Sequence, residues 1–392
     1  MIHSVLRIFF FLANLGCVSS SLYYLVCLWS AASFLRKRKA SQATRSRRAL
    51  PPVSILKPLK GVDPEIYESF RSHCLQDYPE YEIIFGISHP DDPAVASVRH
   101  LQQEFPGRAI RLVVCEKILG TNVKVSNLAQ MLGTARYEHL LVNDSDIQVE
   151  RDYLARAMAP LADEQAGMIT CLYRGIAAPT LWSKLECLGI STDFCAGVLV
   201  AQQIEGGLHF GLGSTLAFRR SDLARAGGFE AVVDFLADDY ELGRRIAGLG
   251  LQVRLSEVVV ETHLPAYDMR SFFAHQLRWA RGVRDARIGG YLGLVSTFGL
   301  MWALVNVIAA GGRPWSWGVL GVVAFLRLGV ALAVGRVVLG DRELAKNLWL
   351  LPVRDLIAVY VWMVSLAGHR VTWRGDRFEL QNGRLIRIGR SD

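Results

Sequence analysis

Residues 4–35 are almost continuously apolar, and Arg7 is the one charge among them. About 20 such residues in a helix cross a bilayer. The stretch is too long for a signal-peptide core, and no small-residue cleavage site precedes the run that follows. That run holds Arg36, Lys37, Arg38, Lys39, Arg45, Arg47 and Arg48 with no acid between them. Cations beside a membrane helix stay on the cytosolic side. The pattern therefore predicts an N-terminal transmembrane anchor over 1–35 and a basic linker over 36–50, with the anchor's C-terminal end in the cytosol. A buried core helix is the competing reading, and the flanking charges weigh against it.

From Pro51-Pro52 the pattern changes to short apolar runs separated by helical spacing, which marks a catalytic-size domain over 51–268. Strands are expected at Val53–Leu56, Tyr81–Ile87, Arg111–Cys115 and His139–Asn143, and another at Leu255–Val260. Residues 64–76, 93–105, 123–135 and 152–163 carry helical apolar spacing. Unalternated strands between helices predict an α/β domain with a mostly parallel sheet covered on both faces. Ligands of such sheets bind beyond the carboxyl ends of the strands. Residues 269–287 are amphipathic and arginine-rich, within an interfacial segment over 269–290. Three apolar stretches of spanning length follow, 291–310, 316–339 and 347–368, in a transmembrane or re-entrant region over 291–369. Arg327, Arg336, Arg354 and Asp355 interrupt the last two, which suits a protein-lined or interfacial setting. Three crossings would put the basic tail, 370–392, opposite the catalytic domain, whereas its arginines favour the cytosol. One stretch is therefore expected to be re-entrant or to lie in the interface.

Composition sharpens this picture in two ways. Half of the 392 residues are hydrophobic and mean hydropathy is positive, high for a soluble enzyme. The net charge of +8 is largely local to the run beside the anchor, so it reads as a topology signal and no nucleic-acid partner is expected. The seven cysteines are scattered, without a CxxC pair. Cys17 and Cys27 lie in the anchor, and Cys171, Cys187 and Cys195 read as small buried residues, which suits a reducing compartment and neither zinc nor disulfides.

Acidic clusters fall where ligands are expected. Asp91-Asp92 follows the second strand and Asp144-Ser145-Asp146 the fourth. Residues two apart in an extended segment point the same way, so Asp144 and Asp146 can face one Mg2+ or Mn2+ that also bridges phosphates. An Asp-rich turn capping the next helix is the plain alternative. In His89-Pro90-Asp91-Asp92-Pro93, one carboxylate suits a base or ribose hydrogen bond, and an Asp cap before Pro fits as well. Asp238-Asp239 opens a helical pattern to Gly248. Asp239 suits a general base for an acceptor hydroxyl, and an acid at a helix start is favoured by the dipole in any case. His275, Arg278 and Trp279 share one helical face, where a cation and an indole can hold a diphosphate or serve as membrane-surface anchors. Lys124, with Asn122 and Asn127 in a loop entering a helix, is a candidate phosphate contact, solvated lysine being commoner. His263 is a further candidate metal ligand, although a lone His is more often structural.

Taken together, these motifs resemble the ceramide glucosyltransferase family and its bacterial relatives from about Pro51 to Leu380. The stretches that carry the resemblance are Ile55–Pro64, Asp91–Ala94, Asn122–Leu128, Asp144-Ser145, Ala226–Phe229, Asp239-Tyr240, Arg278-Trp279 and Thr372–Arg374. The resemblance implies an α/β GT-A fold, Rossmann-like, with N- and C-terminal transmembrane helices in a bacterial inner membrane. It implies inverting transfer of glucose from UDP-glucose to ceramide. Hopanoid glycosyltransferases using UDP-N-acetylglucosamine have a similar layout and form the nearest alternative. A processive polysaccharide synthase and an inactive membrane scaffold are weaker ones. In the family pattern D, D, D, (Q/R)xxRW, the three acids fall on Asp92, Asp144 and Asp239. Asp92 would bind the nucleotide, Asp144 the metal and diphosphate, and Asp239 would be the base. Lys60, Lys124, His275, Arg278 and Trp279 would face the nucleotide sugar. His275 stands where Gln or Arg is expected. Asp146 replaces a Gly of animal members and completes a two-carboxylate site for Mn2+ or Mg2+.

Overall fold

The computed structural model describes residues 2–43 and 50–390. Arg45, Arg47 and Arg48 lie outside them. The anchor helix α1 (Ile2–Ala43) continues beyond the predicted boundary at 35, through Arg36–Lys39. Arg38 donates from Nη1 to the Val338 carbonyl at 3.0 Å, so the basic run begins as helix and not as linker.

The predicted strands form as β1 (Val53–Pro58), β2 (Tyr81–Ile87), β3 (Ala109–Val114) and β4 (His139–Val142). Helices α2 (Ile66–Cys74), α3 (Ala94–Glu104) and α4 (Val123–Leu132) connect them. These four strands are parallel in the order β3-β2-β1-β4. Every residue of β1 and β2 is buried, as expected for strands covered on both faces. The sheet goes on through β5 (Ile147–Gln148), helix α5 (Tyr153–Met158), β6 (Ala166–Ile176), helices α6 (Leu181–Gly189) and α7 (Cys195–Ile204), β7 (Leu216–Arg219), helices α8 (Arg220–Arg225) and α9 (Asp238–Gly248), and β8 (Gln252–His263). The eight strands lie in the order β3-β2-β1-β4-β7-β6-β8-β5. Strand β7 runs antiparallel to β4, with Leu216 opposite Val142. The start of β7 therefore meets the end of β4, and residues 211–215 reach the edge where Asp144 emerges. The chain order also reverses between β1 and β4, which opens a crevice at that edge.

Helices α6 and α7 join through a π-helical turn, Ile190–Phe194, into one rod, Leu181–Ile204. The hydrophobic pattern passes over this rod because Lys184, Glu186 and Asp193 interrupt it. Among the described residues it is one of four helices long and apolar enough to cross a membrane, with Arg7–Ala40, Pro314–Val338 and Leu344–Ser365. More than half of it is buried inside the protein. All seven cysteines are buried and free.

After β8 come α10 (Met269–Ala286), α11 (Ile288–Gly293), α12 (Gly299–Ala309), α13 (Pro314–Val330), α14 (Leu344–Asn347) and α15 (Leu351–Ser365). Ile288–Thr297 and Gly299–Ala309 form an apolar pair bent by 50°. Helices α1, α12 and α13 make a bundle. The Tyr24 hydroxyl donates to the Thr297 carbonyl at 3.3 Å, and Phe10 meets Trp315 edge-on at 5.8 Å. Both ends of the α14–α15 segment return to the sheet domain. Just before its start Arg174 of β6 donates to the Leu339 carbonyl at 2.8 Å. At its end Arg284 of α10 donates to the carbonyls of Ser365 and Gly368. Residues 370–390, expected only as a basic tail, fold into an antiparallel sheet of β9 (Arg370–Trp373), β10 (Asp376–Gln381) and β11 (Arg384–Arg390). The arginines there alternate with Val371, Phe378, Leu380 and Leu385, which form a small core with Leu236 and Trp373. The sheet docks through backbone bonds: Leu385 N–H to Asp234 C=O at 2.7 Å and Leu236 N–H to Gly383 C=O at 3.1 Å.

Candidate active site

Asp144, Lys124 and Asp239 come from three separate elements and meet around Gly213. Lys124, in the first turn of α4, lies 2.8 Å from Asp144 Oδ1 and 3.3 Å from Asp238 Oδ2. Asn122 orients that turn. Its side chain caps Val125 N–H at 3.3 Å and donates to Phe235 C=O at 2.8 Å and to Asp238 at 3.3 Å. Asp239 accepts the Gly213 N–H at 2.6 Å and its own neighbour's, Tyr240, at 2.8 Å. Each carboxylate oxygen keeps a further lone pair for a substrate hydroxyl. Burial, and then the charge of Asp238, pushes Asp239 up to about 6. Burial opposes the Lys124 charge, but Asp144, Asp238 and Asp239 outweigh it and raise its pKa.

A Cβ at Gly213 would stand 3.0 Å from Asp144 Oδ2, 3.3 Å from Asp239 Oδ2 and 3.5 Å from Lys124 Nζ. Only glycine leaves that space open. Gly213→Ala is expected to lower turnover roughly tenfold, because Asp144 and Asp239 must give by a few tenths of an ångström, less than the displacement of about 1 Å that costs about 100-fold. Initial rates, with thermal unfolding as a check on the fold, test this; turnover near that of the unaltered chain would count against the convergence.

Asp146 turns away from Lys124 and accepts from the Thr262 hydroxyl. Burial, and then the Asp144 charge, raises it to about 6. Ser145 between them donates to Asp63. Beneath them Lys57 is fully buried and donates to the Asp144 carbonyl at 3.0 Å; burial pulls it down to about 7. His263 Nε2 lies 2.6 Å from Gln148 Oε1. Among the described residues no three His, Cys, Asp or Glu side chains are grouped to hold a metal.

The amphipathic stretch forms helix α10, capped by Asp268 on Ser271, and His275, Arg278 and Trp279 do share one face. Arg278 Nη2 lies 3.0 Å from His275 Nδ1, and the imidazole and indole centroids are 5.7 Å apart. Trp279 also meets Phe194 of the π turn at 5.5 Å. Burial lowers Arg278 to about 10. Its guanidinium stacks 5.9 Å from the ring of Trp373 in β9. The next residue, Arg374, is held in a left-handed conformation, φ 50°; it donates to the Lys60 carbonyl and lies 3.5 Å from Asp63. Lys60 itself faces this hairpin, its Nζ 3.4 Å from Arg374 O and 3.9 Å from Asp376. The Asp92 carboxylate accepts from Gly61 N–H at 3.0 Å and from Ala94 N–H at 2.9 Å. It therefore ties the loop after β1 to the start of α3, where Pro93 and not an Asp stands at the N-cap.

The model of glycosyl transferase family 21 matches residues 12–386. The chain belongs to that family. It is accordingly a sugar-transferring enzyme. Curated relatives include Ceramide glucosyltransferase 1 of Caenorhabditis elegans, 23% identical over 98% of this chain and 83% of that protein. Ceramide glucosyltransferase 3 of the same organism is 24% identical over 89% and 77%. A mannosyltransferase of Pyrobaculum calidifontis, solved with GDP-Man and Mn2+, superposes with a TM-score of 0.51 at 20% identity, over 91% of this chain and 100% of that one. This likeness shows the GT-A fold. The expected family and fold therefore hold.

Several residues in and around this candidate site carry no clear signal in the sequence. Gly213 has no motif, since its role is a distance across the sheet. Lys57 lies inside a strand and reads as an ordinary alternation break. Glu186 and Asp193 were visible only as charges in an apolar run. Asp63, Trp373 and Arg374 stood within the stretches of resemblance, but nothing local ties residue 63 to residue 374.

Proposed function

We propose that this family-21 enzyme transfers glucose from UDP-glucose to the primary hydroxyl of ceramide, with inversion at the anomeric carbon. The convergence of Asp144, Lys124 and Asp239 around Gly213 carries the reading. Asp239 takes the proton of the acceptor hydroxyl as that oxygen attacks. Lys124 and Arg278 face the diphosphate that leaves, and Asp92 shapes the loop against the nucleotide through Gly61. The glucose and ceramide assignments are supported by the names of the nematode relatives. The lipid assignment is further supported by an open, shallow apolar face between α10 and α15, lined by Phe273, Val353, Leu356, Ile357 and Tyr360.

A divalent cation fits the pair Asp144 and Asp146, whose like charges oppose each other. Mg2+ and Mn2+ commonly take only one or two protein carboxylates and complete their shell with phosphate and water. Such an ion would offset charge on the departing diphosphate. Helices α1, α12 with its bent lead-in, and α13 are read as the crossings. The α15 stretch lies in the interface, because both its ends return to the sheet domain. That returns residues 370–390 to the side of the catalytic domain, the cytosol by the charge of residues 36–48. The tail conflict in the hydrophobic pattern is thereby accounted for.

The test is the purified full chain, assayed with a panel of UDP-sugars against ceramide, diacylglycerol and a hopanoid. Glucosylceramide as the main product supports the proposal. An N-acetylglucosaminyl hopanoid would transfer the same chemistry to the other acceptor. Absence of UDP binding at millimolar Mn2+ would leave an inactive scaffold. Within this reading, Asp144→Ala is expected to abolish the Mn2+-dependent part of UDP affinity; equal UDP affinity with and without Mn2+ in both proteins would reject the metal role.

A further inference from the structure

Glu186 lies in the rod Leu181–Ile204, far in sequence from every acidic motif, and only 4% of it is exposed. Its Oε1 is 3.4 Å from His275 Nε2, and its Oε2 accepts from the Gln276 amide. On the other side of the imidazole, Arg278 Nη2 is 3.0 Å from Nδ1, and the Tyr267 hydroxyl is 3.4 Å from the same atom. A guanidinium can only donate, so Nδ1 must be an acceptor and the ring proton sits on Nε2, facing Glu186. This is the one hydrogen bond of Arg278 among the described residues, and its remaining donors are free for an anion.

Behind Glu186 the rod meets a second set of charges. Arg354 of α15 lies along Gly189, where a Cβ would stand 2.5 Å from its Nε. One helical step further, Arg354 is 3.6 Å from Asp193. Asp193 pairs with Arg327 at 2.6 Å, and Arg327 with Asp355 at 2.7 Å. Charges of alternating sign thus join the bundle helix α13, the rod and α15.

We propose that Glu186 is a positioning residue for the donor diphosphate: it fixes the tautomer and tilt of His275, which in turn aims Arg278. This rests on the reading of Arg278 as a diphosphate contact. Supporting groups of this kind typically change affinity or activity 10- to 100-fold when removed.

The probe is UDP with Mn2+, titrated by calorimetry into the full chain. Glu186→Gln is expected to weaken UDP about tenfold, and to change it little in an Arg278→Ala background, because the two act through one contact. An equal loss in both backgrounds makes Glu186 a general structural support and overturns the proposal, as does unchanged affinity in the Glu186→Gln chain. If the unaltered chain fails to bind UDP, the functional reading itself falls and takes this one with it. Should Glu186→Gln not fold, 15N-histidine NMR of the unaltered chain decides: a His275 resonance with the proton on Nε2 supports the proposal, and a proton on Nδ1 overturns it.

Discussion

Asp239→Asn is expected to lower turnover by roughly 10²- to 10⁴-fold, the range a positioned general base contributes. An amide cannot take the acceptor's proton, while the donor side, Asp144 and Arg278, keeps its groups. UDP affinity should therefore change little, and the loss should appear in kcat. The unaltered enzyme should show the matching pH dependence. Burial and Asp238 raise the Asp239 carboxyl to about 6. The base is ionised above that pH and protonated below it, so kcat/KM should fall as pH drops through about 6. An acid limb near 4, or near-normal turnover in the Asn variant, would remove Asp239 from the role.

Lys124→Met is expected to have the second large effect, on both stability and pH response. Lys124 is the cation between Asp144 and Asp238, and its charge also lowers Asp239. Its removal leaves the buried Asp238 carboxylate without its cation, while Asp144 stays partly open to water, a loss on the order of 2 kcal/mol at neutral pH. The carboxyls respond by holding protons more tightly, so the acid limb of kcat/KM should move upward from about 6. The sign for stability follows from the same shift. A carboxyl whose folded pKa lies above its unfolded value favours folding when protonated, so the variant should regain stability as pH falls through that raised value. Urea unfolding at two pH values measures the first effect and a pH–rate profile the second. An unmoved acid limb would show that Lys124 does not act on the base.

How much of this was legible beforehand depended on how local each signal is. The strands β1, β2 and β4 announce themselves because a strand covered on both faces is mostly apolar, and its few buried polar residues, such as Ser54, Lys57 and Glu82, are paired. Helix α10 does so because a surface helix must be amphipathic. The acidic clusters were legible for the same reason, each being a short motif at a strand or helix end. Their assembly was not. Asp144 and Asp239 belong to one site because β7 runs antiparallel to β4 and brings Gly213 to the same edge. The cap reading of Asp92 and the site reading of Asp239 were equally good locally. Each accepts two backbone amides from different elements, so what the fold adds is place: Asp92 ties the loop after β1 to α3, and Asp239 stands beside Lys124 and Asp144 around Gly213.

The sequence alone determined the class: apolar anchor, parallel α/β domain, acidic ladder and family. Periodicity, charge beside a span and short motifs are properties of neighbouring residues, and neighbours are what a sequence records. Only the tertiary structure decided that the basic tail is a docked sheet, that both ends of the last apolar stretch return to the sheet domain, and that Glu186 stands behind His275. Those facts rest on pairs such as Asp234 with Leu385, Arg284 with Ser365 and Glu186 with His275. Their partners are about 80 to 150 residues apart along the chain. A charge in an apolar run carries no record of its partner, so its role becomes visible when the sheet and the rod have brought the two together.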